Sequence, residues 1–268
     1  KANRKIGLGV MGFTDMLVQL GVPYNTEEAA GVAERVMQFI QVESKKASEA
    51  LAEERGNFPN FEGSVFDRQG AGKMRNATTT TIAPTGTISI IANCSSGVEP
   101  YFAISYVRTV MDKDELAEVN PYFEKVARER GFYSQELMKR ISYSGSVHGF
   151  DEVPDDVKKL FVTAHDITPD DHVRIQSAFQ KYTDNAVSKT INFNRDATVE
   201  DVRRAYVNAY KGGCKGITIY RDGSRDEQVL SVKKDEKKED SETSAAADPD
   251  EDLIPRNRPN ITFGRTER

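Results

Sequence analysis

The chain has 268 residues, 38% of them hydrophobic, enough to bury a substantial core in one large domain or two ordinary ones. Its 37 Lys and Arg against 42 Asp and Glu leave a net charge of −5, which excludes the basic footprint of a nucleic-acid-binding protein. Two cysteines, Cys94 and Cys214, exclude a disulfide scaffold and fit a reducing, cytoplasmic setting, and no apolar run approaches the roughly 20 residues of a membrane span.

The opening "KANRKIGLG" is basic and glycine-rich, has no signal-peptide cleavage pattern and does not start with Met, so the chain is expected to be cut from something longer. "GLGVMG" places Gly7, Gly9 and Gly12 at the dinucleotide-binding spacing. That fingerprint needs a buried strand before it, and "KANRKI" is too polar to be one. The reading preferred here is that small residues let a helix pack closely. The next stretch, "NTEEAAGVAERVMQFIQVESKKASEALAEERG", predicts a long amphipathic helix. Asn25 or Thr26 caps it, Val32, Val36, Ile40, Ala47 and Leu51 face inward, and Gly56 closes it.

"TTTTIAPTGTIS", residues 78–89, starts as a β-strand and breaks at Pro84. The amides of Thr85, Gly86, Thr87, Ile88 and Ser89 then follow in succession, and Gly86 permits close backbone approach. "TISII" can begin a helical turn, so unpaired N–H groups and hydroxyls converge at a helix start, a place suited to a phosphate. The P-loop lysine is missing, so such a site would bind phosphate without promoting its transfer. An ordinary threonine-rich turn is the other reading of the same residues.

Short helices are expected around "PYFEKVARERG", "SQELMKRI" and "DDVKKLF". "TPDDHVRIQSAFQKYTDNA" then has Thr168 as N-cap and Pro169 at the first helical position, with Ile175, Ala178, Phe179, Tyr182 and Ala186 on one face. "SKTINF" reads as a strand. "TVEDVRRAYVNAYKGG" reads as a helix starting at Thr198 and Asp201, with Val202, Ala205, Tyr206, Ala209 and Tyr210 as its stripe and Gly212 or Gly213 at its end. "KGITIY" is a second strand. Strand, helix and strand in this spacing form a βαβ unit with parallel strands, so the fold class is α/β. His148, His165 and His172 show no metal-ligand spacing and read as structural or surface residues, and Cys94 and Cys214 as inert thiols. Between residues 231 and 252 four lysines stand against nine acids, which accounts for the whole net charge. With so little to bury, residues 231–268 are expected to be a disordered acidic linker after a body at 1–230.

"NATTTTIAPTGTISIIANCSSGVEPYF" closely resembles the substrate-phosphate loop of the adenosylcobalamin-dependent (class II) ribonucleotide reductases. "RKIGLGVMGFTDMLVQLG", "YVRTVMD", "HVRIQSAFQKYTDNAVSKTINF" and "GCKGITIYRDGSRDEQVL" resemble other blocks of that family in the same order. The resemblance implies the second half of a ten-stranded α/β barrel, with Pro84, Thr85, Gly86, Thr87, Ile88 and Ser89 holding the diphosphate of a ribonucleotide. It also implies adenosylcobalamin as cofactor, a dithiol reductant such as thioredoxin, and the N-terminal half of the same enzyme as partner. In the intact enzyme a thiyl radical would abstract the ribose 3′ hydrogen, and the 2′ hydroxyl would leave as water while a cysteine pair is oxidised. The family's radical cysteine lies in an N-x-C-x-E loop. Cys94 in "ANCSSG" and Cys214 in "GGCKG" do not match it, so the catalytic cysteines are expected upstream. Two alternatives stand beside this. One is the large subunit of a class I reductase, which uses paired tyrosines where "GITIYRDG" offers Tyr220 alone. The other is a non-catalytic domain that binds a nucleotide phosphate.

Overall fold

A computed structural model of the chain describes residues 1–109 and 115–224. The expected linker at 231–268 lies outside the described residues. In chain order the elements are α1 (Phe13–Leu20), α2 (Glu27–Arg55), α3 (Val65–Arg68), α4 (Gly86–Ala92), β1 (Ser105–Thr109), β2 (Glu115–Val119), α5 (Pro121–Glu129), α6 (Gln135–Ser144), α7 (Asp155–Leu160), α8 (Pro169–Gln180), β3 (Thr190–Phe193), α9 (Val199–Lys211) and β4 (Thr218–Arg221).

The organising feature is a row of parallel chain segments lying side by side in sequence order. Leu8 bridges Thr80, Ile82 bridges Val187, and β3 pairs with β4 in the register Thr190↔Thr218 to Phe193↔Arg221. Main-chain bonds join the first three segments. The Leu8 amide donates to the Thr79 carbonyl at 2.8 Å, the Thr81 amide to Leu8 at 2.9 Å, and the Ser188 amide to Ile82 at 2.9 Å. Each step along the row is made through helices, as parallel pairing requires. The expected βαβ unit is therefore present. The row is open among the described residues, with Ile6 and Leu8 more than half exposed at its first edge.

The strand expected at 78–83 is a pair of isolated bridges at Thr80 and Ile82, because the pieces it meets on either side are themselves short. The glycines ahead of α1 also act differently from expectation. Gly7 and Gly9 lie in the first parallel segment, where a Cβ on Gly9 would fall 2.2 Å from the Thr81 carbonyl oxygen. They allow strand approach, while Gly12, at φ 78°, is the left-handed N-cap of α1.

Helix α2 starts and stops as predicted. Thr26 accepts a hydrogen bond from the Ala29 amide, and Gly56 closes it. Its buried stripe is displaced in the second half, however. Ala47 and Leu51 are exposed, while Ser48 and Ala52 are buried. The true stripe runs through Gln41, Ser44 and Ser48, polar residues that a hydrophobic count passes over. The Thr168 and Thr198 caps are complete capping boxes with Asp171 and Asp201. Helix α8 ends at Gln180, so Ala186 is not on its face. The Thr183 hydroxyl takes the Phe179 carbonyl at 2.7 Å, and the Gln180 amide takes Thr183 and Asn185 carbonyls, which draws the chain out of the helix. On α9 only Ala205 and Ala209 are fully buried. Tyr206 and Tyr210 are exposed because the helix approaches α8 through small residues: a Cβ on Gly212 would lie 2.2 Å from the Ser177 hydroxyl.

Three cores result. Phe13, Leu17, Tyr24, Ala33, Met37, Ile82, Ile175 and Phe179 pack α1, α2 and α8 under the row, with Phe13 and Phe179 edge to face at 4.9 Å. Ile191, Phe193, Ala205 and Ala209 pack α9 on β3. Between α4 and α8 an insertion has its own core around Phe123, Ile141 and Phe161, covered by α5, α6 and α7, all expected. It also contains the antiparallel hairpin β1–β2, which the sequence reading did not find.

The polar stripe of α2 meets the row at Asp184. Its carboxylate accepts the Lys45 ammonium at 2.6 Å, the Thr79 amide at 2.6 Å and the Gln41 side chain at 2.7 Å. Burial alone would raise this carboxyl; the bonds from Lys45, Thr79 and Gln41 outweigh it and hold it below the usual carboxylate value. Asp184→Asn leaves donors facing donors and Lys45 without its partner. It is expected to lower stability by about 2–4 kcal/mol at pH 7, read as a shift of the urea midpoint. Because the folded carboxyl titrates low, that gap should be full above pH ~4 and narrow as the pH falls below it. Arg203→Ala, which removes an exposed pair with Glu200, should stay within about 0.5 kcal/mol.

Candidate functional site

The four threonines at 78–81 are occupied in holding neighbouring segments. Thr78 donates to the Ile6 carbonyl at 3.1 Å and Thr81 to Ala186 at 3.2 Å, while Thr79 and Thr80 are fully buried against Ser44, Gln41 and Asp184. The residues free to meet a ligand come after Pro84. Thr85 sits at φ 56°, ψ 15°, a left-handed conformation that costs a β-branched residue about 1–2 kcal/mol. It is the N-cap of α4 and makes no side-chain cap bond. The first helical bond runs from the Ser89 amide to the Thr85 carbonyl at 2.9 Å. The amides of Gly86, Thr87 and Ile88 therefore precede the ladder and lie at the positive end of the short helix.

Of the six residues expected to hold phosphate, Pro84, Gly86, Thr87 and Ile88 are exposed. A Cβ on Gly86 would meet nothing within 4 Å. Ser89 is turned inward, 3% exposed, with its hydroxyl donating to the Gly86 carbonyl at 3.1 Å. The Thr85 hydroxyl faces Ser96 at 3.4 Å. Thr87 thus carries the one outward hydroxyl of the three.

The chain that follows α4 is pinned from several elements. Asp15 of α1 accepts the Ser95 amide at 2.6 Å and the Tyr101 hydroxyl at 2.6 Å. Glu99 accepts Lys189 at 2.6 Å and the Thr190 amide at 2.7 Å, and its carbonyl accepts the Thr14 hydroxyl at 2.6 Å. Lys189 has no exposed side-chain surface and donates also to His172 Nδ1 at 2.7 Å and to the Thr190 carbonyl at 2.8 Å. Since His172 Nδ1 is an acceptor, its Nε2–H donates to the Ala164 carbonyl at 3.1 Å. Burial, then the Lys189 charge, pushes His172 well below its ordinary value, so the ring is neutral. Burial lowers Lys189 as well, against the opposing pull of Glu99.

Sequence reasoning missed Glu99, Lys189, Asp15 and Ser96. Glu99 and Lys189 lie 90 residues apart, and no local period signals a pair of that separation. His172 is structural, as expected; His148 and His165 are exposed, the latter edge-on to Phe102 at 5.9 Å. Cys94 and Cys214 are free, half-buried thiols, each pushed up by burial. Among the described residues no cluster of His, Cys, Asp or Glu could hold a metal ion, and no helix is long and apolar enough to cross a membrane.

Residues 1–220 match the family described as ribonucleotide reductase, barrel domain. A vitamin B12-dependent ribonucleoside-diphosphate reductase of Thermoplasma acidophilum is 56% identical over 244 residues, 89% of this chain and 32% of that protein. A protein of the same name from Mycobacterium tuberculosis is 51% identical over 231 residues, 86% of this chain and 33% of the other. The alpha subunit of the class Id ribonucleotide reductase of Actinobacillus ureae shares the fold with a TM-score of 0.70 at 26% identity, over 82% of this chain and 39% of that one. The chain thus spans about a third of the length of the two B12-dependent relatives. The open parallel row is a stretch of an α/β barrel, and the chain belongs to the ribonucleotide reductase barrel-domain family.

Proposed function

We propose that this chain is the part of an adenosylcobalamin-dependent ribonucleoside-diphosphate reductase that holds the substrate's phosphates, and that it supplies the second half of a ten-stranded barrel. The observation that carries the reading is the 56% identity to a relative named as a vitamin B12-dependent ribonucleoside-diphosphate reductase. The loop adds chemical support. It follows the segment at 78–82 and presents the amides of Gly86, Thr87 and Ile88 with the Thr87 hydroxyl, beside a glycine with open space before it. These donors suit a dianionic group and need no lysine, because the substrate's phosphates are held in this reaction and not transferred.

The chain's contribution is orientation. With the phosphates fixed at α4, the ribose is presented to a radical cysteine in the remainder of the enzyme. Cys94 and Cys214 lack the N-x-C-x-E surroundings of that residue. Adenosylcobalamin would supply the radical initiation. The cysteine pair that a dithiol such as thioredoxin would reduce in the cytoplasm is assigned, like the radical cysteine, to the rest of the protein. A class I large subunit is the second reading, favoured by the 26% likeness to a solved structure of that class. It is outweighed by the B12-dependent relative and by the lone Tyr220.

Gly86→Ala should fold as well as the parent or gain up to about 1 kcal/mol, since it meets open space in a helix. In the intact enzyme Gly86→Val should nonetheless weaken ribonucleoside diphosphate binding. Thr87→Ala should cost about 1.5–3 kcal/mol, roughly ten- to a hundredfold in Kd by calorimetry. Unchanged affinity in both Gly86→Val and Thr87→Ala removes the phosphate assignment. The isolated chain should form no deoxyribonucleotide from any ribonucleotide with dithiol and adenosylcobalamin present. Turnover by the chain alone, or dependence of the intact enzyme on a separate radical-generating subunit, would count against the reading.

A further inference from the structure

The left-handed Thr85 needs something to hold it, and among the described residues the side-chain hydrogen bonds to it and to the peptide before it come from Ser96. The Ser96 hydroxyl donates to the Pro84 carbonyl at 2.9 Å. A hydroxyl has one proton, so in the 3.4 Å contact between Ser96 and Thr85 the Thr85 hydroxyl is the donor and Ser96 the acceptor. Ser96 thus engages both the backbone before Thr85 and its side chain. Its neighbour Gly97 takes the left-handed conformation at φ 49°, which glycine adopts without strain, and a Cβ there would lie in van der Waals range of the Thr85 hydroxyl and the Ala83 carbonyl.

Ser96 can act as a clasp because the chain on both sides of it is fixed. Before it, the Ser95 amide is held by Asp15, and the Ser95 carbonyl accepts the Gly12 amide at 2.7 Å. After it, the Val98 carbonyl accepts the buried Tyr24 hydroxyl at 2.6 Å, and Glu99 is locked between Thr14, Thr190 and Lys189. The frame is anchored in α1 and β3; the Cys94 amide ties it to the Ser89 carbonyl inside α4 at 3.0 Å, and Ser96 ties it to the residues that open the loop, Pro84 and Thr85.

We propose that Ser96 is a positioning residue for the phosphate loop: carried on the frame made by Asp15, Glu99 and Lys189, it keeps Thr85 left-handed so that the amides of Gly86, Thr87 and Ile88 point outward. The inference rests on the phosphate reading of that loop. Ser96 itself touches no substrate.

The test is made on the intact enzyme with a ribonucleoside diphosphate as probe. Ser96→Ala removes one neutral hydrogen-bonding group and should raise Kd and KM by about two- to tenfold, with kcat at saturation within about twofold of the parent. Ser96→Thr keeps the hydroxyl and should restore binding. Glycine adopts the left-handed conformation without penalty, so in a Thr85→Gly background the same Ser96→Ala change should alter Kd by less than about twofold. A crystal structure of Ser96→Ala should show Thr85 at negative φ. Equal effects of Ser96→Ala in the two backgrounds overturn the proposal, as does a Ser96→Ala structure with Thr85 still at positive φ. If Gly86→Val and Thr87→Ala weaken binding while Ser96→Ala does not, only the role of Ser96 falls. If none of the three changes affinity, the phosphate reading fails and takes this inference with it.

Discussion

The structure depends on one carboxylate placed where three stretches of chain meet. Asp184 follows α8, and its oxygens take donors from α2 (Lys45, Gln41) and from the second parallel segment (the Thr79 amide and hydroxyl). Its own amide donates to the Thr80 hydroxyl at 2.9 Å, and that hydroxyl in turn donates to Gln41 at 2.7 Å. Every polar atom at the junction has a complement, so the group that would be costly to bury alone fixes the register between helix and row. A one-residue slip of the 78–82 segment would break the pairing of the Thr79 amide and hydroxyl with the Asp184 carboxylate and of the Thr80 hydroxyl with the Asp184 amide. Apolar packing of α2 on α8 is tolerant by comparison, because Ala29, Ala33 and Met37 could adapt to small shifts. Apolar burial brings the elements together, and the Asp184 junction sets the register in which they lie.

That division explains what could be read from the sequence. Elements whose buried face is apolar and whose ends are capped were legible: the starts of α2, α8 and α9, the three short helices of the insertion, and the parallel pair β3–β4. Each is specified by residues within one or two turns of one another. In the second half of α2 the hydrophobic period points to the wrong face, because the inward residues are Gln41, Ser44 and Ser48, whose reason for burial lies in Thr79, Asn76 and Asp184, far along the chain. The period carries α8 on to Ala186 because nothing local reveals that the Thr183 hydroxyl takes the Phe179 carbonyl and that the Gln180 side chain holds the Thr183 and Asn185 carbonyls beyond the helix end. A hydrophobic period cannot register a stripe made of hydrogen bonds.

The candidate loop divides along the same line. Pro84, Gly86 and the run of small hydroxyl residues were legible as a turn with exposed amides, since conformational freedom and a missing Cβ are properties of single residues. The direction in which each hydroxyl points was not. Ser89 is buried and Thr85 is drawn to Ser96, and both facts follow from the path of the chain after α4. That path is set by Glu99 and Lys189, charges that only the fold brings together.

The buried charges and the exposed loop are parts of one arrangement. On the phosphate reading proposed above, the loop offers unpaired amides to a ligand; such amides cannot be satisfied internally, so the loop's own contacts cannot hold it rigidly. The rigidity has to come from next to it. Lys189 has three donors, and the structure gives them three acceptors, in Glu99, His172 and the Thr190 carbonyl; this is possible because His172 stays neutral and turns its lone pair toward the ammonium. Were His172 charged, the ammonium would face a second cation without solvent to screen it, and Glu99 alone would have to balance both. Neutral imidazole, buried lysine and half-buried glutamate together form a fully bonded base. From that base the segment at 95–99 can hold a strained threonine in place, leaving the amides beyond it unpaired and outward.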